Sequence, residues 1–429
     1  MITIKLFLIL QLYLLLYYYY SLLILINITM DMDNRRKTSL GKSTFVESAI
    51  SIIYDLQNSD KGDLKLLMSL ALDKSLINEI RSVAWRIFLG ILSNKNLSEW
   101  VRKSKEHRKH FDEGLQSISN ESDYIDSPSE ETVKHLHSNT LEVINLLHSI
   151  VKEESTKSMI YNSLSESAQK IYLIWLRGNP LSNQDHIRIS FRILLVLMFA
   201  LYPSIINVSS QDCDIKESSS QPSPKELLYF LNSEDYFDAD VYTIFSEIMR
   251  RGVKDLITSA TTEDKDLYEL FNKVQSCNNK GKHISKVVAN LGRSEIDLVY
   301  YLGVCREELV QKAANKHLEL RGLLTNMTSS LFYDHDFEVL IYFWDCLLAC
   351  ENNCDFVFSK VNKHQSGLAF SDFLACALLA NTNYSLFESS EKLTQTRIFK
   401  NQLDEDVKAI VHTALKLREK IINHYEEEN

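Results

Sequence analysis

Residues 80–90 read IRSVAWRIFLG and carry the clearest helical pattern of the chain. Trp85 shares one helical face with the aliphatic side chains, and Arg81 stands one turn before it. Gly90 closes the stretch, where we expect it to let another element approach closely. The pattern therefore predicts an amphipathic helix whose tryptophan enters a core.

Similar helical patterns recur along the chain, whereas two-residue alternation does not. Only 11 of the 429 residues are Gly and only 5 are Pro. In average proteins Gly makes up about 7% of the residues and Pro about 5%, so both are scarce here. Strand-rich and glycine-loop folds need more of these residues, so the sequence predicts an all-α protein. The clearest helical stretches, of which 76–92 includes the one quoted above, are residues 63–72, 76–92, 141–151, 168–176, 187–201, 240–249, 337–349 and 404–422.

Net charge, motifs and cysteine spacing together argue against several classes of function. A net charge of −10 carries no general basic surface, which argues against nucleic acid as the main partner. The chain contains no GxxxxGK[ST], GxGxxG, HExxH or GxSxG motif, and we expect no cofactor. Cys346, Cys350 and Cys354 fall on one helical face, with His364 nearby, but their spacing favours buried free thiols over a metal site. Free thiols indicate a reducing compartment.

The N-terminus permits two interpretations. Residues 6–30 form an uncharged apolar stretch long enough to cross a bilayer, and the basic residues 35–37 behind it would keep the rest of the chain in the cytosol. Alternatively, residues 1–30 are a spurious upstream extension, and translation starts at Met30 or Met32. We therefore expect a cytoplasmic protein, either free or anchored to a membrane.

Domain organisation follows from the polar stretches. Residues 31–60 are expected to form a linker and a leading helix, and residues 61–425 a single domain. Three polar insertions are predicted within it, near residues 117–132, 208–225 and 275–282.

Two later helices join the first in a recognisable order. Asp240, Tyr242 and Phe245 lie in DADVYTIFSEIM, residues 238–249. Trp344 and Asp345 lie in LFYDHDFEVLIYFWDCLLA, residues 331–349. Together with Arg81, Trp85 and Gly90, this succession resembles the TBC domain of Rab GTPase-activating proteins. The resemblance implies a V-shaped, all-helical fold and a role in vesicle traffic.

The resemblance also implies how such a protein acts. The family inserts an arginine from I-x-x-D-x-x-R-T and a glutamine from Y-x-Q-G-M beside the GTP of a Rab. The arginine neutralises developing charge, and the glutamine positions the attacking water. An arginine finger of this kind is worth roughly 10³ to 10⁵ in rate. The protein would thus be at most a GTPase activator with no catalytic chemistry of its own.

Both finger positions depart from the family pattern. Gln184 falls at the glutamine position within SNQDH, and Lys152 falls at the arginine position within LLHSIVKE. Lysine lacks the guanidinium fork, and Asp185 places a carboxylate where the family has a glycine. The alternatives are that Gln184 is a solvent-facing residue at a helix start and that Lys152 lies on the polar face of an amphipathic helix.

The sequence therefore predicts a regulator that binds a GTP-loaded Rab with weak or absent GTPase-activating activity. One alternative is a competent activator that takes its positive charge from Arg177 or Arg188. Another is a helical scaffold with no GTPase partner.

Overall fold

The computed structural model describes residues 39–58, 64–93, 98–120, 154–181, 183–207, 222–253, 301–311, 320–333, 335, 337–361, 370–382 and 407–427. Every regular element in these ranges is a helix, which confirms the all-α prediction for the described part of the chain. The hydrophobic stretch 6–30, the predicted helix 141–151 and the polar insertion 275–282 lie outside it.

We number the α-helices in chain order. They are α1 (Ser39–Asn58), α2 (Leu64–Leu72), α3 (Asn78–Phe88), α4 (Ser98–Asn120), α5 (Glu154–Gly178), α6 (Gln184–Asn207), α7 (Pro224–Leu231), α8 (Phe237–Ile248), α9 (301–311), α10 (Leu320–Ser329), α11 (Phe337–Val361), α12 (Phe370–Ala380) and α13 (Val407–Glu427). A 3₁₀ turn, Glu234–Tyr236, leads into α8, and a π-helical turn, Met249–Val253, follows it.

Helix α3 occupies the centre of the packing. It contacts α1, α6, α7 and α11, and all but one residue from Asn78 to Phe88 is buried. Around it, α8 packs on α4, α5 and α6, while α11 packs on α2, α12 and α13. The buried apolar residues from Ala49 to Ile421 form one continuous cluster. The helix predicted from residues 80–90 therefore joins the two groups of helices.

The two tryptophans at the centre of this packing are fully enclosed. Trp85 on α3 is 0% exposed and Trp344 on α11 is 2% exposed, as the sequence pattern predicts. Their ring centroids lie 5.8 Å apart in a tilted arrangement. Cys346 and Cys350 are also buried on α11, as expected of structural thiols.

Two predicted loop boundaries are wrong. Helix α4 continues to Asn120, so residues 117–120 are helical although they were predicted to begin a polar insertion. Helix α7 begins at Pro224, inside the second predicted insertion, because Ser223 and Glu226 form a capping box. Local capping chemistry thus overrides polar composition at this boundary.

Candidate functional site

A positive backbone angle explains Gly90. Its φ is +71°, and it follows the last turn of α3 in a Schellman arrangement, with the Gly90 N–H donating to the Ile87 carbonyl and the Ile91 N–H to the Arg86 carbonyl. A Cβ placed on Gly90 would meet Arg251 Nη2 at 3.6 Å, which is ordinary contact. The expectation that this glycine permits a close approach is therefore wrong, since its conformation accounts for it.

The structure brings the first and last sequence motifs together at a buried carboxylate. Asp345 on α11 accepts hydrogen bonds from Arg81 Nε at 3.1 Å and from Trp85 Nε1 at 2.7 Å. Arg81 also donates to the Leu76 carbonyl and to the Asn78 side chain. Asp345 and two residues 260 or more positions before it thus form one hydrogen-bonded unit, which we call the Asp345 cluster: Arg81, Trp85 and Asp345.

Burial changes the protonation equilibrium of the Asp345 carboxyl. It raises the pKa of the Asp345 carboxyl, and the Arg81 charge together with the hydrogen bonds from Arg81 and Trp85 opposes that rise. Trp344, the residue before Asp345, donates its indole N–H to the Leu331 carbonyl at 2.9 Å. Leu331 and Phe332 both have positive φ, at 47° and 63°, so the indole fixes a turn that is unfavourable for large side chains.

The middle motif lies on α8 and forms a second buried ionic centre. Asp240 accepts from Arg108 Nη2 at 2.8 Å and Nε at 3.1 Å, and from Arg86 Nη2 at 3.0 Å. Arg108 also donates to the Phe230 carbonyl at 2.8 Å. We call Arg86, Arg108 and Asp240 the Asp240 cluster. It ties α3 and α4 to α8.

The other two residues of the middle motif are packing residues. Phe245 is fully buried against Trp175 and Tyr172 of α5, with ring centroids 5.2 and 6.4 Å away. Tyr242 is half-buried and lies 5.4 Å from the ring of Phe111 on α4.

The predicted finger residues belong to the α5–α6 turn and the segment before α5. Gln184 is the first residue of α6, while Lys152 lies outside the described residues. Asn183 precedes the helix, and its side-chain oxygen accepts the Asp185 backbone N–H at 2.8 Å, as an N-cap residue does. Asp185 pairs with Arg188 at 3.1 Å, and their side chains are 69% and 48% exposed.

A buried tyrosine fixes this turn against the core. The Tyr172 hydroxyl on α5 is 3.2 Å from the Ile187 carbonyl, to which it donates, and 2.6 Å from Ser190 Oγ. Both partners lie in the first two turns of α6. Burial raises the pKa of Tyr172, which keeps the hydroxyl protonated as a donor. Since Tyr172 also touches Phe245, α8 and the start of α6 share one support.

Electrostatics at the start of α6 combine both signs of charge. The first turn of a helix presents unpaired N–H groups and a partial positive charge, which favour an anion. Arg188 adds a guanidinium, but Asp185 adds a carboxylate beside it. The Asp185 carboxylate therefore weakens the attraction that Arg188 and the helix N-terminus exert on an oxyanion.

Sequence reasoning missed the arginines of the Asp240 cluster. Arg86 lies within the first quoted helix, but no motif distinguished it from a surface charge. Arg108 lies in α4, whose buried stripe Trp100, Ser104, Arg108 and Phe111 is half polar and therefore hides its helical periodicity.

Two searches of the described residues concern membranes and metals. None of the described helices is long and apolar enough to cross a membrane. In the same part of the chain, no group of three or more His, Cys, Asp or Glu side chains is arranged to hold a metal ion.

No protein-family model matches the chain, and no curated protein is significantly similar to it in sequence.

Proposed function

We propose that the chain is a TBC-type regulator of a Rab-type small GTPase. In this proposal it adopts the V-shaped fold of Rab GTPase-activating proteins, binds the GTP-loaded partner and accelerates hydrolysis weakly or not at all. It acts in intracellular membrane traffic, on the cytosolic side of the membrane.

The observation that carries the proposal is the Asp345 cluster. Helical periodicity drew attention to Arg81 and Trp85, and the resemblance to the TBC pattern grouped them with Asp345 of the last motif. The three side chains meet at hydrogen-bonding distances in a buried centre. Such convergence is expected if the motifs belong to one domain type, and it is not required of unrelated apolar helices.

The α5–α6 turn supports the location of the site. The glutamine of the family pattern stands ahead of an apolar helix, and Gln184 begins a helix that is buried along residues 193–201. The adjacent Asp185 is exposed, so its charge would face an approaching partner. A carboxylate there repels the oxyanions of GTP, which works against efficient catalysis.

The experiment measures single-turnover GTP hydrolysis by a panel of Rab proteins with and without this chain. We expect the unaltered protein to stimulate hydrolysis little. Lys152→Arg combined with Asp185→Gly should raise the rate about tenfold or more, because one change restores the fork and the other removes the opposing charge. Adding Gln184→Ala should abolish the gain.

Lys109→Arg serves as the matched control, since Lys109 is an exposed lysine on α4. It should leave the rate unchanged. Equal stimulation by the control and by the double variant would refute the assignment of Lys152.

A competent activator is the second candidate, and Arg188 favours it. Arg188 follows Gln184 by four residues, about one turn later on α6. The Arg188 side chain is 48% exposed. Arg177 is the alternative source of the charge: it donates to Ser117 Oγ at 2.8 Å, much as Arg188 pairs with Asp185 at 3.1 Å. Strong stimulation by the unaltered protein that Arg188→Ala removes would establish this candidate. A scaffold without a GTPase partner would neither bind nor stimulate any member of the panel.

A further inference from the structure

We propose that the aromatic and acidic surface around the 3₁₀ turn Glu234–Tyr236 binds a basic peptide segment of a partner protein, in which arginines or lysines stand beside apolar side chains. This inference does not depend on the proposed GTPase partner. We call the surface the Tyr236 surface, and it comprises Tyr202, Glu234, Asp235, Tyr236 and Phe237.

Aromatic side chains form a band along this surface. Only four large apolar side chains among the described residues are exposed, and two of them lie here: Tyr236 at 39% and Phe337 at 37%. Tyr202 on α6 and Phe237 on α8 are half-buried, and their ring centroids lie 5.9 Å apart. Phe199, one turn before Tyr202, has its ring centroid 6.4 Å from that of Phe337. An exposed band of this kind is typical of an interaction surface.

The exposed charges beside the band are acidic. Glu234 and Asp235 are exposed, and neither carboxylate forms an ion pair within the described part of the chain. Burial raises the pKa of Tyr202, and the nearby Glu234 charge raises it further, so this carboxylate lies close to the aromatic band. Residues 193–207 and 232–249, which supply the surface, contain no Lys or Arg. The surface therefore attracts a cationic segment.

Tyr236 already stacks on one guanidinium from the inside of the protein. The guanidinium carbon of Arg108 lies 4.1 Å from the centre of the Tyr236 ring. The buried Asp240 cluster, to which Arg108 belongs, carries one net positive charge, whereas Glu234 and Asp235 carry two negative charges on the outside. The balance on the exposed side is therefore negative.

The outer side of Tyr236 suits a second cation. An arginine of the partner can lie against the exposed part of this ring and pair with the Glu234 or Asp235 carboxylate at the same time. Apolar side chains next to that arginine would contact Phe237 and Phe337. An anionic membrane is a poor partner for this surface, because the two carboxylates repel its headgroups.

The test measures peptide binding by fluorescence anisotropy at an ionic strength of about 0.15 M, where weak long-range attraction is screened. The probe is a short fluorescein-labelled glycine–serine peptide that carries several arginines and leucines. One control peptide has citrulline, which is neutral, in place of each arginine, and another has serine in place of each leucine. The unaltered protein should bind the probe at least about tenfold more tightly than either control. Equal binding of the three peptides, or no binding of the probe, would overturn the proposal.

A matched pair of variants locates the binding. Asp235→Asn combined with Tyr236→Leu should weaken binding of the probe about tenfold, because it removes one carboxylate and the exposed ring. Asp55→Asn combined with Tyr54→Leu makes the same chemical change on α1, where both residues are exposed, and should leave binding unchanged. Equal loss in the two variants, or no loss in the first, would show that the Tyr236 surface is not the site.

Photo-cross-linking covers the case in which the variant at Tyr236 does not fold, which circular dichroism would detect. A probe peptide that carries benzophenone should cross-link to the unaltered protein at residues 199–202, 234–237 or 337, as mapped by mass spectrometry. Cross-links confined to other parts of the chain would refute the proposed surface.

Discussion

Asp345→Asn should destabilise the protein by about 3 kcal/mol, because it leaves the Arg81 guanidinium buried without its counter-charge. The Asp345 carboxylate accepts from Arg81 Nε at 3.1 Å and Nη2 at 3.3 Å, and from Trp85 Nε1 at 2.7 Å. Asparagine keeps an oxygen for Trp85 but removes the charge. The cost lies at the lower end of the range of about 3 to 5 kcal/mol for broken buried pairs, since Leu76 and Asn78 still accept from Arg81.

The assay is a double-mutant cycle measured by urea denaturation, followed by far-ultraviolet circular dichroism. In an Arg81→Met background Asp345 has lost its counter-charge, so Asp345→Asn should there cost less than about 0.5 kcal/mol or stabilise the protein. Asp185→Asn is the control, because the Asp185–Arg188 pair is exposed, and it should change stability by less than about 0.5 kcal/mol. An equal cost of Asp345→Asn in both backgrounds would show that the pair is not coupled.

Three further predictions concern the backbone, a histidine and two thiols. Gly90→Ala should cost about 1 to 2 kcal/mol in urea denaturation because of its φ of +71°, whereas Gly178→Ala, with open space around it at the end of α5, should be neutral or stabilising. Burial lowers the pKa of His335 to about 4 from 6.5, so stability should fall by about 3 kcal/mol as pH drops from above 6.5 to about 4, and His335→Gln should flatten that profile. Burial raises the pKa of Cys346 and Cys376 well above 9.0, so both should resist alkylation at neutral pH until the protein unfolds, and rapid labelling of the folded protein would contradict their placement.

Sequence alone predicted the fold class because the deciding helices bury apolar residues in a regular pattern. The α3 and α11 helices were identified for that reason, as was the burial of Trp85 and Trp344. The apolar helix α12 was missed, because it is short and buried on nearly all sides, so it shows no periodicity. Helix α7 was missed although S-x-x-E at Ser223–Glu226 is a readable capping signal.

The candidate site was less accessible to sequence reasoning. Arg81, Trp85 and Asp345 were selected by motif order, but their mutual contact depends on the packing of α3 against α11, which no local pattern encodes. The Asp240 cluster could not be predicted, since arginine is usually exposed and nothing in the sequence marks Arg86 or Arg108 as buried. The positive φ of Leu331 and Phe332 is likewise set by tertiary contacts, including the Trp344 indole.

The central claim is tested most directly by binding. Purified chain and a panel of Rab proteins, each loaded either with a non-hydrolysable GTP analogue or with GDP, would be compared by isothermal titration calorimetry. The account predicts that at least one Rab binds in the GTP-analogue state at least about tenfold more tightly than in the GDP state, and that Asp185→Gly strengthens this binding. Absence of binding to every member of the panel in both nucleotide states would contradict it.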